Sequence, residues 1–465
     1  MFKSRFFFNS AEGRWTMMNA KRKLLSLLLL VGLCAFPAVA QKDSRKDGQK
    51  KDGAQDSRPV LSPTNPYREV VRESLLNGMR IITLSRSGDP VIKLDLVIKG
   101  GAKFDVVGKT GLAKLTQETL LAVNPNLKSE LESLHAEIDW GVDSDATWFH
   151  IETPMAGIDT TLEILGRLLV VENIRPDAFK LAQEEHLNYL KSKVQSHAEQ
   201  ADDYFLKALF GEHPYGHNID GSIESVTAIR QGDVYDYMKR FYIANNAFAV
   251  ITGNISAERT LKPFKSFFGG WMKGQVVPAT FRPPKQIARL NLVKIEAPDA
   301  AHVEIRGGVL GLKFSDPDFQ ITEVLAKVLA ARMKKDAEGI TVNSLQRILP
   351  GPFSFSASVT PDQAPAVSRA ITETFSSLTA SPVSAEELAA AKTALANEYS
   401  SRPPEFYLRQ IEAFSLPRNF PLEIGKKIEA ISIADATRVS KNLLESNALT
   451  VVVLGKVNEG FKSTP

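Results

Sequence analysis

Cysteine is almost missing from this sequence of 465 residues, and the single thiol, Cys34, excludes an intrachain disulfide. A surplus of charge is missing as well. The formal net charge is +4, but residues 1–40 hold six Lys or Arg and one Glu. The rest therefore has 51 basic and 52 acidic residues, a net charge of −1. A nearly neutral body gives no electrostatic reason to expect nucleic-acid binding, and its length allows two or three domains.

Common ligand-binding motifs are also missing. The sequence has no P-loop, no Rossmann fingerprint and no cysteine-based metal site. None of its seven histidines forms an H-x-x-x-H pair on an apolar helix with a carboxylate nearby. His213 and His217 are four residues apart, but Pro214 and Gly216 favour a loop there. We therefore predict loop packing, and not metal binding, for these two histidines.

A basic and then apolar stretch lies near the N-terminus. Lys21–Lys23 are followed by the apolar residues Leu24–Phe36, which are too few to span a bilayer comfortably, and by the A-x-A sequence Ala38–Ala40. This order predicts a signal peptide in residues 1–40, cleaved after Ala40, with export to the periplasm. An uncleaved N-terminal anchor is the alternative.

Residues 41–66 differ from the stretches on either side. They are rich in Lys, Asp, Gly, Gln, Ser and Pro and have no apolar periodicity, which predicts a flexible linker.

Met17 or Met18 fits the signal peptide as a start site, because 16 residues ahead of such a signal are unusual.

Strand-like and helix-like patterns alternate after residue 66. Strands are predicted at 80–84, 91–99, 148–153, 247–252, 290–297, 302–308, 353–359 and 447–454. Helices are predicted at 111–122, capped by Thr110, and at 126–136, 160–172, 176–193, 233–241, 318–334 and 384–399.

One short pattern occurs twice. Residues 246–253 read N-A-F-A-V-I-T-G and residues 447–455 read N-A-L-T-V-V-V-L-G, about 200 residues apart, which is too long a period for a solenoid. We predict an α+β protein with two homologous α/β-sandwich domains of about 200 residues each. Their predicted bounds are 67–275 and 290–460, joined by a proline-rich linker at 276–289.

Several segments occur in an order that resembles a known family. They are L-L-N-G-M-R-I (75–81), G-L-A-x-L (111–115), H-P-Y-G-H-N-I-D-G-S-I-E-S-V (213–226) and Phe241-Tyr242 followed by Asn245 and Gly253. In this order the sequence resembles the insulinase/pitrilysin-type zinc metallopeptidases, the inverzincins, over residues 67–460. The resemblance implies their architecture, in which two such domains form one half of a clam-like body.

The resemblance also implies where a zinc site should lie. Family members carry H-x-x-E-H on a helix, which puts two histidines on one face, and a distal glutamate completes the site. The glutamate inside the motif takes a proton from the zinc-bound water. Here the three motif positions hold Lys114, Gln117 and Glu118, and the distal position falls at Asn188 or Tyr189. The resemblance therefore implies a degenerate site with no metal, and we expect Lys114 and Glu118 to form an ion pair there. Two solvated side chains that do not interact are the alternative.

The family's second catalytic element is an Arg–Tyr pair in the C-terminal domain. In the matching frame, K-K-D-A-E-G-I-T-V (334–342), Lys335 replaces the arginine and Val342 the tyrosine. Lysine cannot reproduce a bidentate guanidinium, and valine has no hydroxyl group. Lys335 is retained only as a candidate substrate contact.

These expectations lead to one function and two alternatives. The resemblance implies a non-catalytic, secreted subunit without a cofactor of its own. It would pair with a catalytic homologue that carries zinc and help enclose an unfolded peptide. The alternatives are a structural scaffold in a membrane or envelope complex, and an active zinc peptidase with displaced ligands.

Overall fold

The computed structural model describes residues 65–193, 196–285, 287, 289–445 and 448–457. The predicted signal peptide lies outside the described residues, as does almost all of the predicted linker at 41–66. The described residues from Pro66 onward form one compact unit. No helix in the described ranges has the length and apolar character needed to cross a membrane.

The first half of this unit, residues 66–275, is built on a six-stranded sheet in the order β1-β2-β6-β3-β5-β4. Its strands are β1 (Val70–Ser74), β2 (Arg80–Ser85), β3 (Val91–Ile98), β4 (Glu137–Val142), β5 (Thr147–Pro154) and β6 (Ala247–Gly253). Its helices are α1 (Leu112–Ala122), α2 (Leu127–Ser133), α3 (Ile158–Leu169), α4 (Pro176–Lys193), α5 (His197–Phe210), α6 (Ile223–Ala228), α7 (Gln231–Phe241) and α8 (Ala257–Phe268). Short 3-10 turns occupy Ala102–Phe104, Met155–Gly157, Pro214–Gly216 and Ala244–Asn246.

The second half, residues 276–457, is built on a five-stranded sheet in the order β7-β11-β8-β10-β9. Its strands are β7 (Asn291–Glu296), β8 (Val303–Leu310), β9 (Thr341–Ser344), β10 (Pro352–Val359) and β11 (Thr450–Gly455). Its helices are α9 (Phe319–Met333), α10 (Ala364–Ser376), α11 (Ala385–Ser401), α12 (Pro404–Phe414), α13 (Phe420–Ala430) and α14 (Ile433–Glu445).

Apart from the additional edge strand β1, the two sheets have the same topology, which confirms the predicted mixed fold with an internal repeat. The strand that ends each half runs parallel to an early strand of that half: β6 lies beside β2, the second strand, and β11 lies beside β7, the first strand of its half. On its other side each of these strands runs antiparallel to β3 or β8. β6 is buried along its whole length, as is β11, because each lies inside its sheet and is covered on both faces.

Each half contributes one helix to the other half's sheet. α5 packs on β8 and β11, where Phe205, Leu209 and Phe210 form a cluster with Val452. α12 packs on β3 and β6 of the first sheet, where Leu408 joins a second apolar cluster. This exchange buries the outer faces of both central strands, and it makes the two halves depend on each other for stability.

Most of the predicted elements occur with small shifts at their ends, but two predictions are wrong in detail. The helix predicted at 126–136 is only Leu127–Ser133, because β4 begins at Glu137. The predicted cap Thr110 does not cap α1. Its hydroxyl donates to Ser225 Oγ, and Gly111, with φ of 92°, occupies the cap position. A positive φ at this point suits glycine and not threonine.

Candidate functional site

The candidate site is built on α1, and a buried carboxylate fixes the start of that helix. Asp105 accepts hydrogen bonds from the backbone N–H of Gly111 at 2.7 Å and of Ala113 at 2.8 Å. It thereby satisfies N–H groups that have no partner within the helix. Burial raises the pKa of Asp105 to about 7, although these backbone donors oppose the shift.

Lys114 lies on the face of α1 that meets α4. Its Nζ is 3.3 Å from Asp220 Oδ1 and 5.7 Å from the centre of the Tyr189 ring. The predicted pair with Glu118 is present only at 4.0 Å. Lysine placed before glutamate at this spacing is the weaker helical order, and Asp220 lies closer. Asp220, and not Glu118, is therefore the main partner of Lys114.

Glu118 is held by a histidine that the sequence argument did not select. His186, on α4, has Nδ1 at 2.6 Å from Glu118 Oε2 and Nε2 at 2.7 Å from the backbone carbonyl oxygen of Asp220. Both neighbours are acceptors, so the imidazolium form, with an N–H on each nitrogen, satisfies both contacts. Burial lowers the pKa of His186, but the Glu118 carboxylate outweighs that effect and the net shift is upward.

Asp220 is the centre of the cluster. This residue is 7% exposed, and its Oδ2 accepts from Lys193 Nζ at 2.8 Å and from the Tyr189 hydroxyl at 3.1 Å. Burial alone would raise the pKa of Asp220, but Lys114 and Lys193 lower it well below its usual range. Two ammonium groups and an imidazolium thus surround two carboxylates.

Gln117 faces away from this cluster, toward the sheet. It is 1% exposed, and its Nε2 donates to the carbonyl oxygens of Gly141 and Trp148, each at 3.2 Å. The side chain therefore ties α1 to β4 and β5. An amide in this position has no basic carboxylate to offer to a water molecule.

Three of the four residues predicted at the degenerate site meet in this cluster. Lys114, Glu118 and Tyr189 lie together, Asn188 is exposed, and Gln117 points toward the sheet. Lys335 is exposed in the turn after α9. The predicted loop packing of His213 is confirmed, because its Nδ1 accepts from the backbone N–H of Tyr215.

Sequence reasoning missed three members of the cluster. His186 precedes Tyr189 by three residues and Lys193 follows it by four, so both lie on the same face of α4. That spacing could have revealed them. Asp220 lies in the segment 213–226, which carried the resemblance, but a loop position gives no periodic signal for its partners.

The arrangement of acidic and histidine side chains does not favour metal binding. Within the described ranges, no group of three or more His, Cys, Asp or Glu side chains is placed to hold a metal ion. Both nitrogens of His186 are already engaged, and Lys114 and Lys193 add positive charge beside Asp220. These cations would repel Zn²⁺, which needs deprotonated ligands.

Comparisons with known proteins agree with this architecture. A family model described as the peptidase M16 inactive domain matches residues 228–395. The zinc protease PqqE of Helicobacter pylori is 22% identical over 209 residues, which cover 42% of this chain and 46% of that protein. The match thus spans about half the length of that relative. The mitochondrial-processing peptidase subunit beta of Blastocladiella emersonii is 20% identical over 421 residues, or 84% of this chain and 89% of that protein.

Solved structures show the same fold. The crystal structure of a peptidase M16 inactive domain from Pseudomonas fluorescens superposes with a TM-score of 0.76 at 17% identity, covering 85% of this chain and all of that one (100%). The periplasmic protease PqqL of Escherichia coli gives a TM-score of 0.67 at 14% identity, covering 84% of this chain and 48% of that one. With the repeated sheets and the ordered sequence segments, these matches agree with the resemblance of the chain to the insulinase-type zinc peptidases.

Proposed function

We propose that this protein is a non-catalytic peptidase homologue that forms one wall of a peptide-enclosing chamber together with a catalytic homologue. The observation that carries the proposal is the ion cluster of Lys114, Glu118, His186 and Asp220. By the resemblance, Lys114 and Glu118 stand at two of the positions that bind zinc in family members. Peptide hydrolysis by such a site needs a metal-bound water and a base.

The cluster supports this reading through its chemistry. Lys114 stands at the first ligand position and pairs with Asp220, so it contributes a positive charge and no lone pair. Glu118 is bound to His186. Gln117 stands where the general base would be, and an amide cannot take a proton from water. Zinc and base would both have to come from the partner.

The relatives support a pairing of two bodies. This chain covers 48% of the length of the PqqL protease, and a separate structure of the first half of PqqL gives a TM-score of 0.66. A chain of this size is thus equivalent to about half of that protease. We propose that the missing half is a separate catalytic chain, and that unfolded peptide is held between the two.

We place this complex in the periplasm. The proposal rests on the signal-like order of residues 21–40 and on the likeness to a protease described as periplasmic. N-terminal sequencing of the protein from its native host should begin at Gln41. A mature protein that still starts at or before Met18 would refute cleavage.

A structural scaffold is the second candidate, and one pair of similarities favours it. Cytochrome b-c1 complex subunit 1 of Bos taurus is 18% identical over 199 residues, and a chain of complex III from Candida albicans gives a TM-score of 0.72. Under this alternative, the protein would be recovered within a membrane complex and would leave peptide cleavage unchanged.

Co-expression with a homologue that carries an intact H-x-x-E-H motif tests the proposal. We expect the two chains to elute together from a size-exclusion column, and the complex to cleave unfolded peptides faster than the homologue alone. As a control, a partner whose motif glutamate is changed to glutamine should still bind but lose cleavage. Separate elution at micromolar concentrations, with no gain in activity on mixing, would favour the scaffold.

A further inference from the structure

A pocket of about 200 Å³ lies between the two halves, and it shares no residue with the ion cluster. Its wall combines the residue after β3, Lys99, with the C-terminal end of α12 and the irregular segment around Ala279. Polar groups reach it from both halves, since Ser315 and Ser415 line it together with two lysines. A pocket of this size holds several water molecules or one small ligand.

Only one of the two lysines in the pocket has its charge balanced. Lys103 is 2% exposed, and its Nζ donates to the backbone oxygen of Asp145 at 2.8 Å and to Asp145 Oδ1 at 3.1 Å. Lys99, in contrast, has no carboxylate within ion-pair distance among the residues that the structure describes. Its Nζ lies 5.8 Å from the centre of the Phe248 ring.

The groups around Lys99 explain why its charge is costly. Burial, with the positive charges of Arg80 and Lys103, lowers the pKa of Lys99 to about 8, and the Glu412 carboxylate opposes this shift. Glu412 is directed to two arginines instead, since its oxygens accept from Arg72 at 3.4 Å and from Arg80. A partly buried ammonium group therefore faces a pocket without a counter-ion.

We propose that this pocket binds a small oxyanion, a carboxylate or a phosphate, with Lys99 as its counter-ion. The hydroxyl groups of Ser315 and Ser415 line the same wall and can donate to the anion. The C-terminal end of α12 opposes binding through the negative end of its dipole. This site is independent of the proposed chamber function, since neither zinc nor a partner chain takes part.

The charge of Lys99 favours anion binding and the dipole of α12 opposes it, and together they determine the expected affinity and its pH dependence. One partly screened ion pair gives a dissociation constant on the order of 1 mM. Bound anion stabilises the protonated amine, so affinity should fall as Lys99 loses its proton above pH 8. Lys99→Arg keeps a positive charge in that range, so its affinity should stay constant.

Calorimetric titration of the full-length chain with sodium acetate and, separately, sodium phosphate tests the site at constant ionic strength. Lys99→Gln should weaken binding by about tenfold or more. The matched control is Lys180→Gln, because the Lys180 side chain is 77% exposed on α4. That variant should bind like the wild type. Binding of acetate alone or phosphate alone would identify the class of anion.

Several outcomes would overturn the proposal: no binding by the wild type, equal binding by Lys99→Gln, or affinity that does not change above pH 8. If Lys99→Gln does not fold, Ala279→Leu decides the matter. That substitution narrows the pocket from the irregular segment without removing charge. It should abolish anion binding, and retained affinity would contradict the proposal.

Discussion

Both halves of the molecule pack a pair of equivalent helices on the sheet, and both pairs contain polar residues. In the first half α1 meets α4, and Asp220 is surrounded by the ammonium groups of Lys114 and Lys193. In the second half α9 meets α11, and Glu323 accepts from the Tyr399 hydroxyl at 2.8 Å and from Gln346 at 3.2 Å.

The two carboxylates show opposite shifts in pKa. Cations hold the pKa of Asp220 well below its usual range, although burial opposes them. Burial raises the pKa of Glu323 to about 7, because its close partners are neutral donors. The helix pair of the second half also carries an ion pair, since Lys327 on α9 lies 2.9 Å from Glu398 on α11, but the hydrogen-bond partners of Glu323 are neutral. The two halves thus differ in the groups around the buried carboxylate: ammonium groups surround Asp220, whereas a hydroxyl and an amide donate to Glu323.

The largest expected effect is the loss of Asp220. Asp220→Ala leaves Lys114 and Lys193 without their shared carboxylate, which should lower the free energy of unfolding by roughly 3 kcal/mol. Chemical denaturation at neutral pH measures this change. Asp177→Ala is the control, because Asp177 pairs with Arg175 on the surface and should show no measurable change. Equal effects for the two variants would contradict the account of the cluster.

Glu323→Gln should act in a pH-dependent way. The folded pKa of about 7 lies above the ordinary value of 4.5, so the native state holds a proton that the unfolded state releases. Stability from this group is therefore lost as pH rises from 4.5 to 7, by at most about 3 kcal/mol. Glu323→Gln should exceed the wild type in stability above pH 7 and match it at pH 4.5.

Asp220 should show the reverse dependence on pH, since its pKa is depressed. Its contribution is complete above the ordinary value of 3.8 and is lost as the pH falls through the folded value. Denaturation curves of the wild type, Asp220→Ala and Glu323→Gln, measured from below pH 3.8 to above pH 7, distinguish the contribution of Asp220 to stability from that of Glu323. A Glu323→Gln variant that is less stable than the wild type at all pH values would contradict the opposite pKa shifts of Asp220 and Glu323.

The smallest expected effects are pairwise couplings within the first cluster. A double-mutant cycle for Lys114 and Asp220 should give a coupling of about 1–2 kcal/mol. The cycle for Lys114 and Glu118 should give less than about 0.5 kcal/mol, because that pair is 4.0 Å apart in the weaker helical order. A larger coupling to Glu118 would restore the pairing expected from the sequence and contradict the geometry.

The sequence predicted elements whose pattern is local. β3 alternates in hydrophobicity and α9 shows a long helical period, so both were predicted within two residues of their bounds. α5 and α12 were not predicted, because their apolar residues pack on the sheet of the opposite half. β4 was missed because it is a short edge strand in which no residue is fully buried.

The candidate site was predictable only in part, for a similar reason. Family spacing identified Lys114, Gln117 and Glu118, since these positions follow one helix. The partners that determine their state, Asp220 and His186, arrive from a distant loop and a second helix. Pairing between separate elements depends on tertiary packing, which spacing along one segment does not encode.

A zinc analysis combined with a peptide-cleavage assay tests most directly the central claim that this chain is a non-catalytic peptidase homologue. The purified chain, dialysed and analysed for zinc, should hold far less than one equivalent and should not cleave unfolded peptides. A family member with an intact H-x-x-E-H motif serves as the positive control in the same assay. One equivalent of zinc together with cleavage that a chelator abolishes would contradict the account, because the ammonium groups of Lys114 and Lys193 beside Asp220 would repel the zinc ion.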